Sequence, residues 1–375
     1  MIGTIKNRLL SNLRNIPGWR TNRKIVVFES DDWGAIRMPS KEVYSELLNK
    51  GLNVNQSPYN INDSLESNDD LNALFEILTK YKDKNGMHPV FTALAVVANP
   101  DFKKIEENNF TSYEYESVLE TLNSYGTTHN NVYKLWKEGL NSGIFHPEFH
   151  GREHLNVKRW MQAIKGKDSV SRISFDHNFY GLGPEESNEK RVNHFPAFDL
   201  DTISDLESQK VIIKEGLELF RQIHGYKAEF FVPPNFYYNT QLEKFLVENR
   251  IYYLPGSRRH REPLGNEQFK NSIRYTGLKN NIGQTYLVRN VQFEYSQTKN
   301  VNEWKRALKD IETAFFWNKP VIISTHRLNY IGFINEKNRK EGLEQLDYLL
   351  KNIVKKWSNV EFMTSTQLGR LMNQL

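Results

Sequence analysis

Cysteine is missing from all 375 residues of this sequence. Disulfide bonds and thiolate metal sites are therefore excluded, and any bound metal must be held by His, Asp or Glu side chains. The sequence also lacks a run of about 18 apolar residues, so we expect no transmembrane helix. We expect no secretory leader either, because the N-terminus has no apolar core. The lack of a leader and of a membrane span leads us to expect a cytoplasmic protein, whereas the lack of cysteine does not fix the compartment.

An excess of charge of one sign is also lacking. The chain has 50 Lys and Arg against 45 Asp and Glu, and a net charge of +5 is small for this length. This balance argues against a dedicated nucleic-acid-binding protein. Residues 1–28 are the exception, because they hold six Lys or Arg and no Asp or Glu. Residues 1–22 therefore read as a basic amphipathic segment, either docked on the domain or in peripheral contact with a membrane through residues 1–20.

Residues 23–375 alternate between apolar β-branched runs and longer helical patterns. This alternation is typical of a mostly parallel sheet, open or closed into a barrel, and we expect a single α/β domain. The predicted strands are Ile25–Glu29, Pro89–Val97, Gly143–Phe149, Glu229–Val232, Thr285–Val291 and Val321–Thr325. The predicted helices are Lys41–Lys50, Asp69–Lys82, Asn131–Asn141, Val157–Ile164, Ser204–His224, Thr240–Asn249, Asn302–Trp317 and Glu336–Trp357. Two long loops, Gly51–Asn68 and Asp176–Thr202, are expected to face a substrate.

Polar side chains with reactive groups follow several of these strands directly. Asp31 and Asp32 follow the first strand, and a histidine cluster follows the third. Asn235 comes after the fourth strand, and His326 comes after the last. The active sites of α/β barrels are built at the carboxyl ends of the strands. Four such placements predict an active site at that end.

Asp31 and Asp32 are adjacent carboxylates. Because side chains alternate along a strand, one of them can hold a metal while the other faces a water molecule. Two carboxylates this close tend to split their pKa values unless a cation lies between them. Taken alone, the pair is more typical of a turn or a helix N-cap.

His146, His150 and His154 are spaced four residues apart. If the chain becomes helical at Gly151, His150 and His154 lie on one face and can share an ion. His146 and His150 lie on a predicted strand, which separates their side chains by about 13 Å. We therefore predict His150 and His154 as ligands and His146 as a residue on the substrate side. Two imidazoles and one carboxylate form a facial ligand set for a divalent metal.

Other side chains near these motifs have two interpretations each. Arg152 and Glu153 either clamp a substrate or form an exposed ion pair. His326 is either structural or a general acid or base, and its place after a strand favours the catalytic role. Arg327 and Asn329 are expected to orient His326 or the substrate.

As a set, these strings resemble the polysaccharide deacetylases of carbohydrate esterase family 4, the NodB-homology group. The family's Thr-Phe-Asp-Asp-Gly motif is similar to Glu29-Ser30-Asp31-Asp32-Trp33-Gly34. Its His-Ser/Thr-x-x-His motif is similar to His150-Gly151-Arg152-Glu153-His154. Its Arg-Pro-Pro-Tyr motif resembles Val232-Pro233-Pro234-Asn235, and its Leu-x-His motif resembles Ser324-Thr325-His326. The order of the motifs agrees over roughly residues 24–330.

The resemblance implies a distorted (β/α) barrel with loop insertions. It also implies hydrolysis of an N- or O-linked acetyl group on a saccharide or glycan precursor, as in bacterial surface-polysaccharide biosynthesis. By this resemblance Asp31 is the general base, His326 is the general acid, and Asp32 binds the metal with His150 and His154. Zinc is the first expectation for the metal, with Co, Ni or Mn as alternatives. The expected substrate contacts are His146, Arg152, Glu153, Asn235 and Arg327.

The sequence departs from the family pattern in two places. Val232 stands where the family has an Arg that steadies the base, and no Asp-x-x-Asp-Trp motif follows it. The missing cation is expected from one of four arginines: Arg258, Arg259, Arg289 or Arg327. Val232 favours an alternative function, that of a non-catalytic carbohydrate-binding protein on the same barrel. A metal-dependent hydrolase of another amide or ester is the second alternative.

Overall fold

Parallel strands form the centre of the molecule. The structure is a computed structural model and describes residues 12–166, 169–187 and 193–374. The strands are β1 (Lys24–Trp33), β2 (Phe91–Ala95), β3 (Ala98–Pro100), β4 (Tyr115–Ser117), β5 (Phe145–Phe149), β6 (Tyr253–Gly256), β7 (Arg259–Gly265), β8 (Gln268–Ile273), β9 (Thr285–Val288), β10 (Val291–Gln292), β11 (Val321–His326) and β12 (Val360–Phe362).

Helices connect these strands and cover them. They are α1 (Lys41–Asn49), α2 (Pro58–Asn62), α3 (Asn68–Thr79), α4 (Phe102–Glu107), α5 (Val118–Ser124), α6 (Val132–Asn141), α7 (Val157–Ile164), α8 (Val170–Phe175), α9 (Pro184–Ser187), α10 (Asp205–His224), α11 (Leu242–Glu248), α12 (Tyr295–Thr298), α13 (Glu303–Phe316), α14 (Glu336–Lys356) and α15 (Ser365–Asn373). Short 3-10 helices cover Val54–Gln56, Gly126–Thr128, Pro234–Phe236 and Arg327–Tyr330. The helices predicted from the sequence are present, with ends that differ by a few residues.

Parallel pairings connect most of the central strands. The ladders run in the order β10–β11–β1–β2–β5, and each adjacent pair is parallel. Beyond β5, single parallel bridges join Phe149 to Phe231 and Phe230 to Tyr253, and β6 then pairs with β9. Arg289 and Asn290 separate β9 from β10 along the chain, and no ladder joins these two strands within the described residues. The fold is the expected α/β architecture with a parallel central sheet, arranged as a distorted barrel that no ladder closes between β9 and β10.

Two hydrophobic cores lie on opposite faces of this sheet. Along β1, Ile25 and Val27 face the inside of the barrel, whereas Val26 and Phe28 pack towards the surrounding helices. Leu368 of α15 belongs to the inner core. Because α15 follows β12, which pairs with the first residues of β1, this helix closes the end of the barrel at which the strands begin. The opposite end is left for the site.

The N-terminal segment is described in part. Residues 1–11 of the predicted basic segment, and with them most of the predicted membrane contact, lie outside the described residues. Further along, Trp317 Nε1 donates to Asn12 Oδ1 at 2.9 Å, and Trp19 packs against the inner core. A domain boundary at residue 22 stays a prediction. Within the described ranges, none of the helices has the length and apolar character that crossing a bilayer requires.

Candidate metal centre and catalytic residues

Asp31 and Asp32 lie at the carboxyl end of β1. The register of β1 against β11 places Asp31 opposite His326. Asp32 has a φ of +79°, in the left-handed region that non-glycine residues rarely occupy, and the β1–β2 ladder is irregular at this point. The bend separates the two carboxylates: Asp31 contacts Arg289, whereas Asp32 contacts Arg37.

Asp32, His150 and His154 come together as a cluster of potential metal ligands. One ligand atom from each residue lies within 4.8 Å of the others. Asp32 Oδ1 is 3.2 Å from His154 Nε2 and 3.5 Å from His150 Nε2. None of the three residues is more than 4% exposed. The structure thus groups the three side chains predicted as ligands.

The route by which the two histidines converge differs from the expected one. The chain does not become helical at Gly151, because α7 begins only at Val157, where Asn156 caps it by accepting from Arg159 N. Gly151 has a φ of +115°, and a Cβ there would lie 3.3 Å from Glu153 O. A tight turn at this glycine, rather than helical spacing, brings the two rings together.

The donor atoms of this cluster fit a divalent ion. His150 Nδ1 lies 2.7 Å from Val232 O. A carbonyl oxygen only accepts, so Nδ1 carries a proton, and in the tautomer that this bond selects Nε2 presents a lone pair. No group in the described part of the chain hydrogen-bonds to this Nε2. A lone pair that faces a carboxylate oxygen is repelled by it unless a cation lies between them, which is the arrangement of a His-ligated metal.

Arg37 keeps Asp32 in the ligand form. Its Nη2 donates to Asp32 Oδ2 at 2.8 Å. Burial alone would raise the pKa of Asp32, but the charge of Arg37 holds this pKa well below its ordinary value. Burial, reinforced by Arg37, lowers the pKa of His154 to about 4, so this ring is neutral at neutral pH. An ionised carboxylate and a neutral imidazole are the forms that bind metals.

Arg289 holds the carboxylate of Asp31. Its Nη2 and Nη1 donate to Asp31 Oδ1 and Oδ2 at 2.6 and 2.7 Å, and its Nε donates to Glu29 Oε2 at 2.6 Å. Burial alone would raise the pKa of Asp31, but Arg289 lowers it below the ordinary value. Of the four arginines considered as a substitute for the family's Arg, Arg289, in the β9–β10 connection, is the one bonded to Asp31. That it takes over the role of the family's Arg stays a prediction.

His326 is paired with a carboxylate that the sequence analysis missed. His326 Nδ1 lies 2.6 Å from Glu294 Oε1, and its Nε2 lies 3.5 Å from Asp31 Oδ2. Asn329 Nδ2 donates to Glu294 Oε2 at 2.9 Å. Burial alone would lower the pKa of His326, but Glu294 raises it to about 9. Glu294 follows β10 closely, so the rule that singled out the other residues after strands could have found it.

Tyr59 of α2 is a second residue that the sequence analysis missed. It lies in the long loop expected to face a substrate, and its ring stands nearly perpendicular to that of His326, with 5.5 Å between centroids. Arg37 lies over the same ring at 5.3 Å, and Gln297 Nε2 donates to the hydroxyl at 3.0 Å. The predicted loop therefore supplies one wall of the site.

Three expected substrate contacts are corrected by their placement. Arg152 and Glu153 form a buried ion pair with each other, with Nε–Oε2 and Nη2–Oε1 distances of 2.6 and 2.8 Å, so they are neither exposed nor free to clamp a ligand. Arg327 is fully buried, and it donates to Asp63 at 3.1 Å and Glu66 at 2.6 Å. Its role is to cross-link the 51–68 loop to β11.

His146 and Asn235 lie in different environments. His146 is near the start of β5, where its ring stacks on Tyr226 and its Nε2 lies 3.7 Å from Glu148 Oε1. It is therefore about 13 Å along the strand from His150, which places it away from the site. Asn235 is exposed and has a φ of +57°, and its contact with substrate stays a prediction.

Comparison with known proteins gives distant similarities. No protein-family model and no curated protein matches the sequence. A solved structure described as a probable polysaccharide deacetylase from Pseudomonas aeruginosa is similar at 9% identity and a TM-score of 0.44, over 94% of this chain and 92% of that one. The PuuE allantoinase is similar at 10% identity and a TM-score of 0.44, over 94% and 91%.

Proposed function

We propose that this chain is a metal-dependent hydrolase that removes an N- or O-linked acetyl group from a saccharide or glycan precursor, as in the biosynthesis of a surface polysaccharide. The observation that carries the proposal is the joining of three groups at one end of the barrel. These groups are the Asp32, His150 and His154 cluster, the Asp31–Arg289 pair and the His326–Glu294 pair. Ligands, a base and an acid for hydrolysis are thus present together.

Asp32, His150 and His154 would hold the metal, with zinc as the first choice and Co, Ni or Mn as alternatives. When bound, such an ion supplies Lewis-acid chemistry, which draws electrons from a carbonyl oxygen and makes water more acidic. Asp31, kept ionised by Arg289, accepts a proton from the attacking water. His326, kept protonated by Glu294, donates a proton to the departing amine or alcohol. Both protons of this exchange are accounted for by side chains of the chain.

The alternative of a non-catalytic binding protein loses its main support. It rested on Val232 in place of the family's Arg. Arg289 makes a bidentate pair with Asp31, so the base retains its guanidinium. A hydrolase of another amide or ester shares the same machinery and is separated by the substrate test below.

The first experiment measures divalent metal in purified wild-type protein and in the His150→Ala and Asp32→Ala variants. We expect close to one ion per chain in the wild type and loss of that ion in both variants. Asp31→Asn is the matched control, since Asp31 is paired with Arg289 rather than with the histidines, and it should retain the ion. Absence of a bound ion in reconstituted wild type would overturn the metal site.

The second experiment measures acetate release from N- and O-acetylated saccharides. We expect the loaded wild type to release acetate and Asp31→Asn to be slower by about 10²–10⁴-fold. Metal binding without acetate release, together with cleavage of another amide or ester, would replace the deacetylase by the alternative hydrolase.

A further inference from the structure

A cavity of about 610 Å³ adjoins the catalytic residues and has no role in the chemistry above. Arg289, which bonds to Asp31, lies in its wall, as does Ser324 of β11. The rest of the wall comes from the N-terminal segment, the turn between β6 and β7, and the stretch that follows β8. The volume lies in the range of small-ligand sites.

The charged residues that line the cavity are all positive. They are Arg14, Arg258, Arg259, Arg274, Arg289 and Lys319. No Asp or Glu is found among its described lining residues. The chain as a whole is nearly neutral in charge balance, so this concentration of one sign is a local property of the cavity.

Three of these cations already have hydrogen-bond partners, and two of the three are paired with carboxylates. Arg289 bonds to Glu29 and Asp31. Arg274 donates to Tyr238 Oη at 2.7 Å and lies 3.4 Å from Glu243 Oε1. Lys319 Nζ donates to the main-chain oxygens of Gly18 and Trp19, which are neutral acceptors, so its charge is not compensated.

The other three guanidinium groups have no partner in the part of the chain that the structure describes. No hydrogen bond or ion pair involves the side chain of Arg14, Arg258 or Arg259, and all three are exposed to the cavity mouth. Burial, reinforced by Arg20, lowers the pKa of Lys319 to about 8, and the hydrogen bonds given for its ammonium go to main-chain oxygens only. A multiply charged anion is the ligand that such a set favours.

We infer that this cavity binds the diphosphate group of an acetylated sugar carried on a diphosphate. Guanidinium groups match phosphate oxygens in pairs of hydrogen bonds. Three unpaired arginines and one lysine match the two negative charges of a diphosphate diester better than the single charge of a uronic acid. Arg289 lines the cavity and bonds to Asp31, so one side chain connects the anion site to the proposed base. The carrier beyond the diphosphate is either a nucleoside or a polyprenyl lipid.

This inference rests on the proposed deacetylase function, but its test measures ligand binding and not enzyme activity. Binding of UDP-N-acetylglucosamine, of undecaprenyl diphosphate N-acetylglucosamine in micelles and of neutral N,N′-diacetylchitobiose is measured by calorimetry on the full chain. The measurements are repeated with EDTA, so that chelation of a metal at Asp32 by the diphosphate is recognised. A protein that fails to release acetate still gives a result here.

We expect at least one diphosphate probe to bind more tightly than the neutral disaccharide, with and without EDTA. The double variant Arg258→Ala/Arg259→Ala should weaken that binding by about tenfold or more, because each charge-assisted contact is lost. Arg261→Ala is the matched control, since Arg261 lies over Phe269 on the same hairpin and outside the cavity wall, and it should bind as the wild type does.

The two carriers are distinguished by which probe binds. Tighter binding of the nucleotide sugar assigns a soluble precursor, and tighter binding of the lipid diphosphate assigns a membrane-borne one. The inference is overturned if both diphosphates bind no better than the neutral sugar. It is also overturned if the double variant and the wild type bind them equally.

Discussion

A single guanidinium serves two buried carboxylates of one strand face. Glu29 and Asp31 are two residues apart on β1, so both point into the barrel, and Arg289 bonds to each of them. Burial dominates at Glu29 and raises its pKa, whereas the bidentate contact lowers the pKa of Asp31. These opposite pKa shifts favour a negative charge on Asp31, the proposed base, over one on Glu29.

Replacing Arg289 by Met should show how far the pKa of Asp31 depends on this guanidinium. The pKa of Asp31 is depressed in the folded state, so the acidic limb of the pH profile of kcat/KM should move to higher pH in the variant. Two buried carboxylates would lose their partner, and stability near pH 7 should fall by about 3–5 kcal/mol. The double variant Arg289→Met/Asp31→Asn should regain part of that stability but no activity. An unchanged acidic limb in Arg289→Met would contradict the assignment of Asp31 as the base.

The His326–Glu294 pair leads to a prediction at alkaline pH. The folded pKa of His326, about 9, lies above the unfolded value of about 6.5. The pair therefore stabilises the fold fully below about pH 6.5, and this contribution is lost as the pH rises towards 9. Activity that needs protonated His326 should decline over the same upper range.

Glu294→Gln removes the charge that raises this pKa. The alkaline limb of the kcat/KM profile should then move down by about one pH unit or more, and the loss of stability between pH 6.5 and 9 should become smaller. The measurements are pH–rate profiles and thermal unfolding at several pH values. Glu341→Gln, in which the altered carboxylate accepts from Tyr295 away from the site, serves as the control. Identical alkaline limbs in wild type and Glu294→Gln would remove Glu294 from the mechanism.

At the scale of elements, buried strands and long helices could be predicted because their apolar periodicity is strong. The predicted and observed bounds of α7 are the same, and those of α14 differ by one residue. The β7–β8 hairpin could not be predicted in this way. Its second strand, Gln268–Ile273, is largely exposed, and the buried residues of its first strand, Arg259–Gly265, include His260 and Glu262, so no apolar alternation marks either strand. The fourth predicted strand, Glu229–Val232, forms only single bridges, at Phe230 and Phe231.

Some residues of the candidate site could likewise be predicted from the sequence, and others could not. Asp31, Asp32 and His326 could be placed because each ends a strand whose pattern is clear. The salt bridge from Arg289 to Asp31 joins residues far apart in sequence, and no local pattern separates Arg289 from the other arginines. Arg327 has the same position after a strand as a site residue, but it turns into the core towards Asp63. Pairings of this kind depend on tertiary packing, which periodicity does not report.

The approach of α14 to the chain after β11 depends on one glycine. A Cβ on Gly342 would lie 1.7 Å from Asn329 O, a main-chain atom that cannot turn aside. Asn329 in turn donates to Glu294, so a displacement here reaches the partner of His326. Helix packing and the orientation of the acid are thus coupled through this contact.

Gly342→Ala should therefore lower the melting temperature, although alanine favours a helix by about 1 kcal/mol over glycine. It should also reduce kcat more than it changes KM, because Asn329 and Glu294 are displaced. Lys340→Ala, at an exposed position of the same helix, should stay within about 0.5 kcal/mol of the wild type. A Gly342→Ala protein more stable than the wild type would show that α14 can move away at no cost.

For the molecule as a whole, helix α15 stabilises the end of the barrel opposite the candidate site. Ser365 Oγ donates to Glu29 Oε1 at 2.7 Å, and Thr366 Oγ1 donates to Glu148. Leu368 fills the inner core above them. Helix α15 thus satisfies buried carboxylates and fills the barrel at the same time.

Leu368→Ala should cost about 2–5 kcal/mol, because it leaves a cavity in a closed space. Denaturant unfolding measures this loss, with Gln374→Ala, an exposed neighbour, as the control. Loss of less than about 1 kcal/mol would mean that the inner core collapses around the gap. Metal content should be unaffected, since the ligands lie at the other end.

Strand β1 is synthesised early, but two of the strands that pair with it are synthesised late. Val26 pairs with Val321 and Phe362, so one of the earliest strands obtains these partners only after most of the chain has been synthesised. Until then, β1 offers an unpaired apolar edge on the side that β11 and β12 later cover, and such an edge is prone to join other nascent chains. Completion of the sheet is therefore expected only after most of the chain has been made, and yield in cells should depend on chaperones that shield this edge.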